Sequence, residues 1–205
     1  MQQFAALARL AGINEGEANA LATATADWID SDANESPLGA EDSAYRGMTP
    51  AYLPANTLMA DASELKAVRG VTAVHYARLK PLICALPVAE PLRVNVNTLR
   101  PSEAALVAAL WAERLTVAQV RSALAGRPRG GYGSATRFWQ AAPFQGLNPP
   151  QDVAEQIVVT PRWIMLTSRV EMGDTGLDVR SLIDVRRDRP QAVPMVVARQ
   201  FGVTD

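Results

Sequence analysis

One cysteine, Cys84, and one histidine, His75, are all that 205 residues provide of either type. A lone cysteine excludes an internal disulfide, a four-cysteine zinc site and a CxxC redox pair. A lone histidine excludes a multi-histidine metal centre. No run of about 18 apolar residues occurs, so no transmembrane helix lies within the sequence. No signal-peptide pattern opens it, and no GxSxG, P-loop or GxGxxG is present. Excess charge is missing too: 20 basic residues meet 21 acidic ones, a net of −1. With 48% apolar and 20% charged residues the composition is that of an ordinary globular protein. The length allows one large domain or two small ones.

The neutral total hides an asymmetry. Residues 1–64 carry ten acidic groups against Arg9 and Arg46, a net of −8. Residues 65–120 carry a net of +4 and residues 121–205 a net of +3. Self-repulsion in the first third calls for a cation or a basic partner. The basic remainder is diluted, with no arginine-rich run before Arg186-Arg187-Asp188-Arg189.

The first two thirds read as helices. Asn14 with Glu17, Asp61 with Glu64 and Thr116 with Gln119 have capping-box spacing. Ala18, Leu21, Ala22, Thr25 and Trp28 recur at helical period. Gly70 is placed to end the second helix, Thr72 to cap a third through Leu79, and Pro81 to bend or stop it. Pro101–Leu115 is expected to be the strongest helix, with an alanine-rich body. Trp28 and Trp111 fall on apolar faces and read as core, while Phe138, Trp139 and Phe144 flank loops and suit a satellite core ahead of the alternative, a partner-docking surface. Loops are expected at Ser31–Pro54, Arg127–Ser134 and Pro143–Gln151. After Ile157 the period changes, and three β-rich stretches separated by Gly173-Asp174-Thr175-Gly176 and a second break predict an antiparallel meander. The fold class is therefore α+β, with a helical domain over 1–150 and strands over 151–205.

Six carboxylates and one amide fall within sixteen residues: Asp27, Asp30, Asp32, Asn34, Glu35, Glu41 and Asp42. Asp27 and Asp30 would share a helix face. Asp30, Asp32 and Asn34 alternate as extended ligands around a hard cation do. Oxygen donors without His or Cys point to Ca²⁺ rather than zinc or copper. The spacing is not that of an EF-hand. A two-metal nuclease or a carboxylate-pair glycosidase would use the same residue types, and a plain solvated loop would also look like this. A second feature, Glu64–Val74 (ELKAVRGVTAV), has the form helix, glycine, hydrophobic residue, threonine cap, helix. Such hairpins can aim backbone N–H groups at phosphate, but the surroundings (Lys66, Arg69, Arg78, Lys80) are only mildly basic for DNA.

Several stretches come in a telling order: ADWIDSD at Ala26–Asp32, GAED at Gly39–Asp42 with Tyr45, Pro54-Ala55-Asn56, ELKAVRGVT, LKPLICALP at Leu79–Pro87, VNVNT at Val94–Thr98, and RQFG at Arg199–Gly202. Together they resemble the K-type minor pseudopilins of bacterial type II secretion systems. The resemblance implies a pilin-like sheet carrying a large inserted helical domain of the helix-hairpin-helix or SAM-like kind. It implies bound Ca²⁺, with ligand candidates Asp30, Asp32, Glu41 and Asp42, and Asp27, Asn34 and Glu35 behind them. It implies partners among minor pseudopilins of the I and J types, with the H type a further candidate, and a soluble domain facing the periplasm. VNVNT is given a structural role, its Asn95 and Asn97 bonding backbone. Family members begin with a prepilin leader and a long apolar anchor helix; the sequence here opens in helical sequence, so a soluble fragment with an unfinished sheet edge is expected. Some relatives carry cysteines near the calcium loop, whereas Cys84 stands alone in an apolar run and is expected to be buried and inert.

The function expected is therefore non-enzymatic: a subunit whose helical bulk caps the tip of the pseudopilus, stabilised by calcium. Two rivals remain. One is a DNA-binding hairpin using Arg69, Gly70 and Thr72. The other is a metal-dependent hydrolase using the Asp30–Asp42 cluster, for which no general base outside the cluster is evident.

Overall fold

The computed structural model describes residues 1–112, 114–185 and 193–202. The chain divides into two compact units, Met1–Val158 and Val159–Asp205. The first is built from helices α1 (Gln2–Leu10), α2 (Glu15–Ile29), α3 (Asp42–Arg46), α4 (Ala73–Leu79), α5 (Ala105–Ala108), α6 (Val117–Ala125), α7 (Ala135–Trp139) and α8 (Gln151–Gln156). A short parallel pair, β1 (Val94–Asn95) and β2 (Ile157–Val158), completes it. The second unit is a three-stranded antiparallel sheet, β3 (Trp163–Met172), β4 (Thr175–Asp184) and β5 (Met195–Phe201), in that order. The fold class is thus α+β, a helical unit with a small antiparallel sheet. The Arg186–Arg189 run lies outside the described residues.

Among the described residues, side-chain caps open four of the eight helices, α2, α4, α6 and α7. Asn14 accepts the Glu17 N–H at 2.9 Å, but the reciprocal arm of the box is not made. Glu17 turns instead toward His75, 3.6 Å from its Nε2. Thr72 caps α4 and Thr116 caps α6, each with a complete box closed by His75 and Gln119. The Asp61–Glu64 box is also complete, yet it opens a 3-10 turn over Ala62–Ala67 rather than an α-helix. The loop expected over 31–54 contains α3.

Pro101–Leu115 is not one strong helix. It breaks into a 3-10 turn (Pro101–Glu103), the four-residue α5, and a second 3-10 turn (Ala109–Trp111). Ala104, Val107, Ala108, Ala109 and Leu110 are all buried, and α5 and the turn after it pack against α1. Small side chains permit that close approach, and tertiary packing outweighs alanine's helix propensity. Trp111 is only half-buried, with the Arg114 guanidinium 5.8 Å from its ring centre.

Two cores fill the helical unit. Ile13, Leu21, Trp28, Tyr45, Leu65, Val68 and Leu79 close the first around α2. Trp28 meets Tyr45 edge-to-face at 5.2 Å, a geometry that adds to area burial. Tyr132, Phe138, Trp139 and Phe144 form an aromatic cluster under the second half, with centroids 5.0–5.5 Å apart. The boundary between units falls after Val158, not at Pro150, because Ile157 and Val158 pair with Val94 and Asn95. Cys84 is exposed, not buried. Its thiol is still crowded enough that desolvation raises its pKa.

The VNVNT segment is a tie rod. Asn97 Oδ1 accepts the Tyr132 N–H at 2.7 Å, and its Nδ2 donates to the Tyr132 C=O at 3.0 Å. Gly131 sits at φ +79°, and a Cβ there would lie 2.9 Å from the Asn97 side chain. Asn97→Ala is expected to cost about 2 kcal/mol, because both Tyr132 backbone groups lose these partners. The check is a lower denaturant midpoint with an unchanged slope.

In the sheet, β3 and β4 pair from Trp163↔Asp184 to Met172↔Thr175 around Gly173-Asp174, with Gly173 at φ +59°. Paired residues share a face. Ile164, Leu166, Val170 and Met172 therefore lie on the same side as Ile183, Val179 and Leu177, and β5 adds Val196 and Phe201. The other side carries Arg169, Asp178 and Arg180. Trp163 is half-buried, with the Arg162 guanidinium 4.9 Å from its ring centre.

Candidate metal centre

The carboxylate cluster is assembled by the end of α2, the loop after it and the start of α3. Asp27 is fully buried on the last turns of α2. Its Oδ2 accepts the Ala40 N–H at 2.9 Å and the Ser36 N–H at 3.1 Å, so it pins the loop back onto the helix. Gly39 lies directly against this carboxylate: a Cβ there would stand 1.9 Å from Oδ2. Asp30 is the C-cap of α2 and Glu41 the N-cap of α3. Glu41 is 3% exposed. Burial raises its pKa above the ordinary 4.5, and Asp27, Asp30, Asp32 and Asp42 push it further by repulsion.

The seven sequence-derived candidates separate into two groups. Asp27 Oδ1, Asp30 Oδ1 and both Glu41 carboxylate oxygens are buried with no hydrogen-bond partner. The other four have partners elsewhere. Asp32 Oδ1 accepts from the Asn34 backbone N–H at 2.8 Å and from its side-chain Nδ2 at 2.7 Å. Glu35 lies 3.9 Å from Arg69, and Asp42 pairs with Arg46 at 2.7 Å. Among the described residues no three acidic, histidine or cysteine side chains converge as a metal-ligand group.

Asn56 was not in the sequence-derived set. Its Oδ1 is likewise buried without a partner, and its backbone N–H donates to the Trp28 C=O at 3.0 Å, beside the last turn of α2. Its φ is +46°. The legible signal was an asparagine closing Pro54-Ala55-Asn56, since asparagine tolerates the left-handed region better than most residues. Buried oxygens without donors are costly unless something meets them. The Trp28 Nε1 on the same turn of α2 is also unpartnered, while the orphaned oxygens are carboxylate and amide, which is the donor chemistry of Ca²⁺.

The hairpin turn is spent inside the fold. The Arg69 backbone N–H donates to the Tyr45 hydroxyl at 3.2 Å, and its guanidinium to the Gly39 C=O at 3.3 Å. The Gly70 C=O lies 3.2 Å from His75 Nδ1. Arg69 thus faces a carboxylate-rich loop.

Among the described residues no helix is long and apolar enough to cross a membrane. The family described as "Type II secretion system (T2SS), protein K" matches over residues 1–88 and again over 94–160. Type II secretion system protein K of Pectobacterium carotovorum is 34% identical over 204 residues, 98% of this chain and 60% of that protein. The protein of the same name from Aeromonas hydrophila is 44% identical over 133 residues, 64% of this chain and 40% of that protein. That from Klebsiella pneumoniae is 37% identical over 183 residues, 89% of this chain and 54% of that protein. The chain thus spans about half the length of these curated relatives. The crystal structure of the GspK-GspI-GspJ complex from the enterotoxigenic Escherichia coli type 2 secretion system superimposes with a TM-score of 0.84 at 28% identity, covering 99% of this chain and 70% of that one. The chain belongs to the protein K family of type II secretion systems, the K-type minor pseudopilins.

Proposed function

We propose that the chain is the calcium-stabilised body of a pseudopilus tip subunit that assembles with I- and J-type minor pseudopilins. The reading is supported by the likeness to a K protein crystallised with GspI and GspJ. The assembly would include an H-type neighbour and an inner-membrane anchor, with this body in the periplasm. The helical unit takes up Met1–Val158 against Val159–Asp205 for the sheet unit, and a subunit carrying that much added bulk would not repeat along a filament. A heterologous contact that does not propagate makes a cap.

One observation carries the calcium claim: five buried oxygens, on Asp27, Asp30, Glu41 and Asn56, lack donors. These residues would hold the ion, with Asp32, Asn34, Glu35 and Asp42 available at the loop once their present partners are exchanged. Bound Ca²⁺ would neutralise carboxylates that otherwise repel one another, and its binding free energy would add to folding. The rival phosphate-binding hairpin is less well supported, because the Arg69 backbone N–H that such a turn would offer to phosphate already donates to the Tyr45 hydroxyl.

The test is co-purification of the chain with I- and J-type partners in calcium and in chelator. A ternary complex in calcium, lost or weakened in chelator, is expected. No complex in either condition would remove the assembly reading, and equal yield in both would remove calcium from it.

A further inference from the structure

A cleft of 390 Å³ opens beside the carboxylate centre, on the other side of Gly39. Glu17, Leu21 and Ala24 of α2 form one wall, Glu35 and Leu38 of the loop another, and Arg69 of the hairpin the third. Leu21 and Ala24 make that first wall apolar. The rim carboxylates of Glu17 and Glu35 are about half exposed.

Leu38 is the anomaly. It is 70% exposed and held at φ +71°. A left-handed backbone is unfavourable for a residue with a Cβ, and glycine would avoid that cost. An exposed leucine recovers nothing by burial. The chain therefore keeps an apolar side chain at the mouth of the cleft against both backbone and solvent preferences, and such outliers cluster where ligands are clamped.

Charge says what the cleft would take. The cleft is lined by Glu17 and Glu35 against Arg69, a net of −1, within a chain whose residues 1–64 have a net of −8. Arg69 neutralises Glu35 only across 3.9 Å, and both side chains are about half exposed. Such a pair contributes little and is readily exchanged for a better-placed cation. Glu17 faces the buried His75, at 3.6 Å. We infer that the cleft receives a lysine or arginine presented by a partner polypeptide. Its aliphatic stem would lie over Leu38 and Leu21, with its charged head between Glu17 and Glu35. The inference stands on the cleft and its rim, and does not require that the partner be an I- or J-type subunit.

The test is an amide NMR titration of the chain in excess calcium at low salt. The probes are acetyl-Leu-Arg-Leu-amide and its neutral counterpart acetyl-Leu-Gln-Leu-amide. The arginine peptide should shift Leu21, Ala24, Leu38, Gly39 and Gly70, and bind about fivefold or more tightly than the glutamine peptide, since a charged donor makes the stronger hydrogen bond to carboxylate. Leu38→Gly should weaken the arginine peptide about threefold while the melting temperature holds or rises, because the backbone is relieved as the contact is lost. Glu17→Gln should weaken it as well. Equal binding of the two peptides, shifts centred elsewhere, or undiminished binding by Leu38→Gly would overturn the inference. So would a lower melting temperature for Leu38→Gly, which would make Leu38 a structural residue.

Discussion

Gly39→Ala is expected to destabilise the helical unit by about 3 kcal/mol, lowering the melting temperature by roughly 10 °C. The reason is steric rather than conformational, since Gly39 does not have positive φ. An added Cβ would stand 1.9 Å from Asp27 Oδ2, 2.8 Å from its carboxyl carbon and 3.0 Å from the Ser36 C=O. Asp27 cannot step aside cheaply. It is fully buried, and the threatened oxygen is the one that accepts the Ser36 and Ala40 N–H groups. Hydrogen bonds to a charged acceptor contribute about 1.5–3 kcal/mol each, and moving the carboxylate strains both. The check is a double-mutant cycle with Asp27→Ala, read by chemical denaturation. With the carboxylate gone, the alanine at 39 should cost much less, so the two changes are strongly non-additive. Additive costs would show that Gly39 matters for some other contact.

This coupling explains what could and could not be read from the sequence. Local chemistry was legible: Thr72, Thr116 and Asp61 cap where their spacing says they should, and Gly173-Asp174 turns the sheet. Those signals act over three or four residues and need no knowledge of neighbours. The acidic cluster was also legible as a group, because its members lie within sixteen residues. Its internal division was not. Whether a carboxylate faces a donor depends on Ser36, Ala40 and Arg46 being brought to it, which only the folded loop decides. Asn56 joins from 26 residues beyond Asp30, carried in by its bond to Trp28. Gly39 looked like a loop glycine when its role is to leave room for Asp27. Cys84 and the 101–115 helix failed for a related reason: an apolar run says what could be buried, not which residue the neighbouring helices will cover.

Glu41→Gln should separate the cost of the acidic cluster from its use. Glu41 is buried and its pKa is raised, first by burial and then by Asp27, Asp30, Asp32 and Asp42. A carboxyl whose folded pKa lies above its unfolded value binds more protons in the folded state. Its stabilising contribution is therefore present below the ordinary 4.5 and is lost as pH rises through the folded value. In chelator, at pH above the raised pKa, the ionised Glu41 is thus a liability, and Glu41→Gln should melt at the same temperature or higher. The wild-type chain should lose stability as pH climbs from 4.5 through the raised pKa, and the variant should show a flatter slope over that window. Calcium should reverse the order. At about 100 times its dissociation constant a ligand of the folded state adds about 2.7 kcal/mol, or roughly 5–10 °C for a unit of this size. Glu41→Gln should forfeit most of that gain, because an amide brings no charge to balance the ion. A variant that gains as much from calcium as the wild type would place the ion elsewhere, and a variant that melts lower in chelator would mean that the Glu41 carboxylate has a protein partner. The opposite signs in the two buffers are what a metal ligand predicts and a merely buried acid does not, so one substitution measured twice decides between them.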